Sequence, residues 1–261
     1  MTDRPDRPGR PAERPADRPG HPVDRPAERP ADRVVPETAR RRRRPTKQGT
    51  VLSEQVIVDT ALRLVGQHGA QAFTVRRLGL ALGADPSAIY RYFHSTDDLL
   101  LAVADELIGL GLDGWRPTGD WRADLREVGL RIHARSLAHP QAAVLAAYRT
   151  TGRANEIRAI ETMLGILREA GFPDPDAVSL YHAFIDQALG FAVLDSAAIA
   201  LPATAQHADS GVWDTAYRGL SPDTHPHIAA TADLLAADMR RSAYPLALDL
   251  LLDALAARLP S

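Results

Sequence analysis

The sequence predicts an all-α fold: a helix-turn-helix head of three helices, then a larger helical bundle, with a disordered arm in front. Three observations carry this. Apolar residues recur at helical spacing, and no stretch alternates as a strand would. Residues 53–100 are punctuated at short intervals by helix caps and stops. Residues 1–46 consist mainly of Pro, Arg, Asp, Glu and Ala, and "PAERPADR" occurs twice, at 11–18 and 26–33. Few apolar side chains there offset the entropy of ordering, so disorder or loose polyproline II is expected. The expected divisions are 1–46 for the arm, 47–100 for the head and 101–261 for the bundle.

Composition narrows the function. With 45% hydrophobic residues in 261, a sizeable core can be buried. Cysteine is absent, which excludes disulfides, thiol catalysis and cysteine-ligated metals. No uncharged apolar run of membrane-spanning length is evident and the N-terminus is polar, so neither a signal peptide nor a transmembrane segment is expected. A cytoplasmic location follows as the expectation. The net charge of -2 hides an asymmetry. Residues 1–50 hold 14 basic and 8 acidic side chains, residues 51–100 hold 4 and 5, and residues 101–261 hold 13 and 20.

The arm ends in five arginines, Arg40, Arg41, Arg42, Arg43 and Arg44, followed by Pro45. Such a cluster is suited to finding phosphates. Residues 1–37 read instead as a solvated linker, because their acidic residues cancel most of their charge. A PxxP-type ligand is an alternative use of the same segment.

Order is expected from Ser53. In "SEQVIVDTALRLVGQHG", Ile57, Ala61, Leu64, Val65 and His68 share one helical face. Ser53 suits the N-cap, Glu54 the positive first turn, and Gly69 the end. A shorter helix follows in "TVRRLGLAL", with Thr74 as N-cap, Leu78, Ala81 and Leu82 buried, and Gly83 as the stop. "ADPSAIYRYF" begins a third, with Asp85 as N-cap and Pro86 at the first helical position. "STDD" opens a fourth in the manner of a capping box.

Two short helices around a glycine-containing turn, braced by a longer first helix, make a helix-turn-helix. Ile89 and Phe93 would hold the third helix to the core, leaving Ser87, Tyr90, Arg91 and His94 outward. Hydroxyls, a guanidinium and an imidazole can donate to phosphates or read base edges. A merely solvated face would more usually carry Lys and Glu.

Residues 53–100 closely resemble the DNA-binding domain of the Tet repressor family of bacterial transcription regulators. The likeness is carried by "FTVRRLGLALGADPSAIYRYFHSTDDLLLAVAD": a Thr opening helix 2, a leucine-glycine before the turn, an aromatic "IYRYF" core and the "STDDLL" start of helix 4. The resemblance implies base contacts at Arg76, Ser87, Ala88, Arg91 and Tyr92, with Pro86 near the groove. It implies phosphate contacts at Thr74, Tyr90, His94 and Thr96. Thr96 stands where family members usually have lysine, so phosphate attraction by the head should be weak, and the upstream arginines would compensate.

Residues 121–139, 142–170, 175–201 and 228–259 read as helices, with a Pro/His/Gly-rich break at 202–227. This body resembles, more loosely, the ligand-binding and dimerisation domain of tetracycline-type repressors. The resemblance implies a homodimer through 175–201 and 228–259. Their apolar residues include Leu180, Phe184, Leu189, Phe191 and Leu194, then Leu234, Leu235, Leu246, Leu248, Leu251, Leu252 and Leu255. It also implies an effector pocket inside the bundle, for which Trp115, Trp121, His133, Tyr148, Met163, Tyr181, Phe184 and Phe191 are candidates. Each of these is also an ordinary core residue by type. Leu112 and Val128 stand where the founding member has the histidine and asparagine that hold magnesium–tetracycline, so tetracycline is not the expected effector.

No cofactor is implied, and His207, His225 and His227 lack metal-ligand spacing. The enzyme motifs G-x-S-x-G and H-E-x-x-H and a P-loop are absent from the sequence. The reading is a repressor that binds a palindromic double-stranded DNA operator as a dimer and leaves it when a small molecule binds. The alternative is a ligand-independent, architectural DNA-binding protein.

Overall fold

The computed structural model describes residues 51–259 except Tyr148 and Arg240. The arm with Arg40–Arg44, and the pocket candidate Tyr148, lie outside the described residues. All regular structure among the described residues is helical.

The head begins with α1 (Glu54–His68), where Ser53 Oγ accepts from Val56 N at 3.2 Å and Gly69 ends the helix at φ 78°. Its buried stripe is wider than expected and adds Val58, Thr60 and Leu62, whereas Leu64 is half-buried and His68 exposed. The reason is that α4 and α6, as well as α2, pack on it. In α2 (Val75–Leu82), Thr74 is the N-cap and Gly83 closes the helix in the left-handed region at φ 60°, where glycine carries no steric penalty. The buried residues are Leu78, Gly79 and Leu82, and Ala81 is exposed. Gly79 replaces Ala81 in the packing because the next helix crosses there: a Cβ on Gly79 would stand 3.0 Å from the Ala84 carbonyl oxygen and 3.1 Å from Pro86 Cγ.

The third helix is shorter than its sequence suggested. α3 covers only Pro86–Ile89, and Tyr90–Tyr92 continue as turns, with Tyr92 N and Phe93 N both donating to the Ile89 carbonyl. Ile89 and Phe93 are both 1% exposed and fix this segment to the head core. Burial of two such side chains contributes roughly 1.5–3 kcal/mol each. α4 (Thr96–Leu112) starts from Ser95, whose Oγ accepts from Asp98 N at 3.0 Å. Asp98 reaches back to His94 N at 2.8 Å, one residue earlier than in an ordinary capping box. α4 runs on past residue 100: Leu99 and Val103 lie in the head core and Leu112 in the body core.

The body contains α5 (Trp121–Ala138), α6 (Pro140–Ala146), α7 (Ala154–Glu169), α8 (Asp174–Ala200), α9 (Ala203–Val212), a π turn (Trp213–Tyr217), α10 (Pro226–Asp238) and α11 (Tyr244–Ala256). Three expectations are corrected. The stretch 142–170 is two helices, divided where Gly152 takes φ 63° and α7 starts anew. That start is capped from a distance: Asp105 of α4 accepts from Asn155 N at 3.3 Å and Glu156 N at 2.9 Å. The stretch 228–259 breaks before Tyr244, and Pro245 sits in the first turn of α11, where its missing N–H costs nothing. The stretch 202–227 is not simply a break, because the alanine-rich run after Pro202 forms α9.

α8 is long and apolar enough to cross a membrane by length and composition. In this fold Phe184, Ala188 and Ala192 are instead buried in the protein. Trp115, Leu125, Phe184, Tyr244, Leu248 and Leu252 belong to the body core.

Candidate functional site

The head presents one polar face. Arg76, Pro86, Ser87, Tyr90, Arg91 and His94 are exposed, Tyr90 at 50%. Arg77, which sequence reasoning passed over, is exposed in the same first turn of α2 as Arg76. None of Arg76, Arg77 and Arg91 has an ion-pair partner among the described residues. Asp85 Oδ1 accepts from Ser87 N at 2.8 Å, and these Ser87 hydrogen bonds hold the Asp85 carboxyl below its ordinary range.

Among the other residues expected at the DNA, Tyr92 and Ala88 are less accessible than Thr74. Tyr92 is half-buried and donates its hydroxyl to the Leu52 carbonyl at 2.8 Å, so it ties the chain entering α1 to the turn after α3. Ala88 is half-buried as well. Thr74 Oγ1 accepts from Arg77 N at 3.3 Å. Thr96 is half-buried in the first turn of α4.

Behind the head, a network joins α4 to the segment between α6 and α7. Arg149 pairs with Asp97 at 2.9 Å, and Arg153 pairs with Asp98 and donates to the Asp98 carbonyl at 3.2 Å. The bond from His94 N is the largest influence on Asp98 and holds its carboxyl below the ordinary range against the opposing effect of burial. Thr151 Oγ1 donates to Asp105 at 3.2 Å, and Gly152 N to Glu156 at 2.6 Å.

Arg149 and Glu156 also border a cavity of about 540 Å³ between α4, α5, α6, α7 and α8. That volume is typical of sites for small organic ligands. Its walls are mainly apolar, among them Ile108, Leu112, Val128, Ile132, Ile160 and Met163. Arg135, Tyr181 and Asp186 supply polar groups. Burial first, then the charges of Glu156 and Asp186, raise the Tyr181 hydroxyl above its ordinary range, so it stays a neutral donor.

Of the described candidates for an internal pocket, Met163 and Tyr181 are in this wall. Trp115, Trp121, His133, Phe184 and Phe191 are not. Trp121 meets Phe172 edge-on with centroids 5.9 Å apart, and Phe191 lies 5.6 Å from Tyr244. His133 stacks on Tyr244 at 4.8 Å and its Nε2 lies 2.7 Å from Asp195 Oδ2. His133 and Phe191 thus face Tyr244 at the start of α11, whereas Ile132, Arg135, Tyr181 and Ile185 line the cavity. Helical phase alone could have grouped them; residue type could not.

The sequence pattern of bacterial regulatory proteins of the tetR family matches residues 57–103. That of the tetracyclin repressor-like C-terminal domain matches residues 114–259. An HTH-type transcriptional regulator of Saccharopolyspora erythraea is 27% identical over 150 residues, which is 56% of this chain and 64% of that protein. The class C tetracycline repressor protein of Escherichia coli is 29% identical over 128 residues, 48% of this chain and 58% of that protein. The chain thus spans less than two thirds of the length of these curated relatives. A possible TetR family transcriptional regulator from Streptomyces coelicolor A3(2) superposes with a TM-score of 0.65 at 30% identity, covering 78% of this chain and 99% of that one. With a family pattern across most of the body and another across the head, the chain belongs to the tetR family of bacterial regulatory proteins.

Proposed function

We propose that the protein is a transcriptional repressor that binds a palindromic operator as a homodimer and is released by a small molecule held in the body cavity. The observation that carries this is the pairing of two features along α4. At its N-terminal end, Tyr90, Arg91 and His94 stand exposed on a helix-turn-helix, and farther along, Leu107, Ile108 and Leu112 line the cavity. Arg91 and Arg76 would meet base edges together with Ser87, and Thr74, Tyr90, His94 and the Thr96 end of α4 would meet phosphates. Arg40–Arg44 would add phosphate contacts from the arm. Such a protein acts where the chromosome is, in the bacterial cytoplasm.

A dimer supplies the two-fold symmetry that two half-sites need. Leu194 of α8, Leu234 of α10, and Leu246 and Leu250 of α11 are all at least 60% exposed, and they form the proposed interface. Release would follow if the occupied cavity favours a dimer whose heads no longer match the half-site spacing. The ion pairs of Arg149 and Arg153 with α4 are the route by which cavity occupancy would reach the head.

Selection of bound fragments from random DNA, followed by titration of the winning duplex against a scrambled one, tests the reading. A two-fold symmetric site with a large preference over the scrambled duplex is expected. Equal binding to both would favour an architectural role and overturn the repressor.

A further inference from the structure

We infer that the cavity takes an elongated, mainly apolar small molecule bearing one anionic group, seated against Arg135. This deepens the effector-site reading above and rests on it.

The polar groups of the cavity are unequal in what remains free to them. Arg149 is committed to Asp97 at 2.9 Å. The Glu156 carboxylate already accepts from Thr151 N, Thr151 Oγ1 and Gly152 N. Arg135 is half-buried, and among the described residues its guanidinium has neither an ion pair nor a hydrogen-bond acceptor. It lies in the last turn of α5, where the helix dipole offers a diffuse partial negative charge but does not engage five N–H groups. Its charge is felt nearby: the His139 imidazole is pushed below its ordinary range by burial and, next, by Arg135. A half-buried guanidinium facing an apolar cavity lacks the acceptor that a carboxylate would supply in bidentate form.

The competing charge is Asp186, which is exposed and hence well hydrated. It stands five residues along α8 from Tyr181. The ends of the cavity can be placed from the helices. α5 and α8 run in the same sense, since Trp121 meets Phe172 before α8 and His133 meets Asp195 late in it. Arg135 follows His133 by two residues. Tyr181 precedes Asp195 by 14 residues. At 1.5 Å per residue the Tyr181 and Arg135 ends are thus on the order of 20 Å apart along the bundle. Between them the wall is Ile132, Ile160, Met163, Ile185 and Leu189. A neutral Tyr181 hydroxyl at the far end can donate to a carbonyl or hydroxyl.

Three probes with one body test this on the full chain: pyrenebutanoic acid, pyrenebutanol and pyrenebutylamine, titrated by pyrene fluorescence at neutral pH. The acid is expected to bind at least about ten-fold more tightly than the alcohol, the ratio for one charge-assisted bond in a desolvated site. Arg135→Met should reduce the acid to about the alcohol's affinity and weaken the alcohol far less, and Arg135→Lys should keep part of the preference. Equal affinities, tightest binding of the amine, or a preference that survives Arg135→Met would overturn the inference. Ile160→Trp and Leu164→Phe, which fill the cavity, should weaken all three probes. If neither does, or if no probe binds the wild type, the cavity itself is not the ligand site and the effector reading fails with it.

Discussion

Tyr92 donates its phenolic hydrogen to the Leu52 carbonyl, 2.8 Å away and 40 residues earlier in the chain. The bond fastens the entry of α1 to the turn that follows α3, and it turns a side chain expected at the base edges back toward the head core. Tyr92→Phe should then lower stability by about 1 kcal/mol, the usual net worth of one hydrogen bond. The preferred operator should not change. Thermal melting together with a binding profile over single-base operator variants checks this, and a profile altered at one base pair would return Tyr92 to base readout.

Arg91 is exposed and free of an ion pair among the described residues, one residue before Tyr92. Arg91→Ala is expected to cost roughly 1–3 kcal/mol on the preferred operator and to blur discrimination at one base pair. Arg77→Ala should weaken all sequences alike, as removal of a charge that neutralises a phosphate does. Titrations on matched and mismatched duplexes separate the two patterns.

The surface proposed for dimerisation is Leu194, Leu234, Leu246 and Leu250, with exposures of 60–71%. Leu250→Asp should give a folded monomer by light scattering, with operator binding abolished because one half-site holds weakly. Phe184→Asp, at a site 1% exposed, should instead unfold the body by burying an unpaired charge. A wild-type monomer at micromolar concentration would remove the dimer.

Asp98 is held below its ordinary value of 3.8, first by the bond from His94 N, then by Arg153. Its folded-state value lies below its unfolded one, so the stability it contributes is fully present well above pH 4. It is lost as pH falls through the folded value, below 3.8. Asp98→Asn should lower the melting temperature at pH 7, and the difference from the wild type should shrink as pH falls below the ordinary carboxylate range. A constant offset across that range would show that ionisation of Asp98 does not support the start of α4.

Arg40–Arg44 precede a head whose residues 51–100 carry 4 basic and 5 acidic side chains. Deleting residues 1–45 should weaken binding to every DNA sequence by a similar factor and leave the preferred operator unchanged. The slope of log affinity against log salt should flatten by several units, near one for each phosphate that the arm had neutralised. Operator and random duplex measured at three salt concentrations decide it, and an unchanged slope would make the arm a passive tail.

Helix starts and stops were legible wherever a local residue made them. Ser53, Thr74, Asp85 and Ser95 are N-caps and Gly69 and Gly83 end helices, because capping is an interaction between near neighbours in sequence. The family likeness was legible for the same reason, since its motifs are short and contiguous. What remained hidden depends on partners far apart in the chain. α7 begins at Ala154 because Asp105, some fifty residues earlier, accepts its first N–H groups. Gly79 is buried and Ala81 exposed because α3 folds back across α2. The cavity could not be composed from aromatic residues: Phe184, Phe191 and His133 went to the Tyr244 side of their helices, and Arg135, Ile160 and Ile185 to the other. Which face of an apolar helix meets a neighbour and which meets an opening is set by how five helices pack together, and that packing exists only in three dimensions.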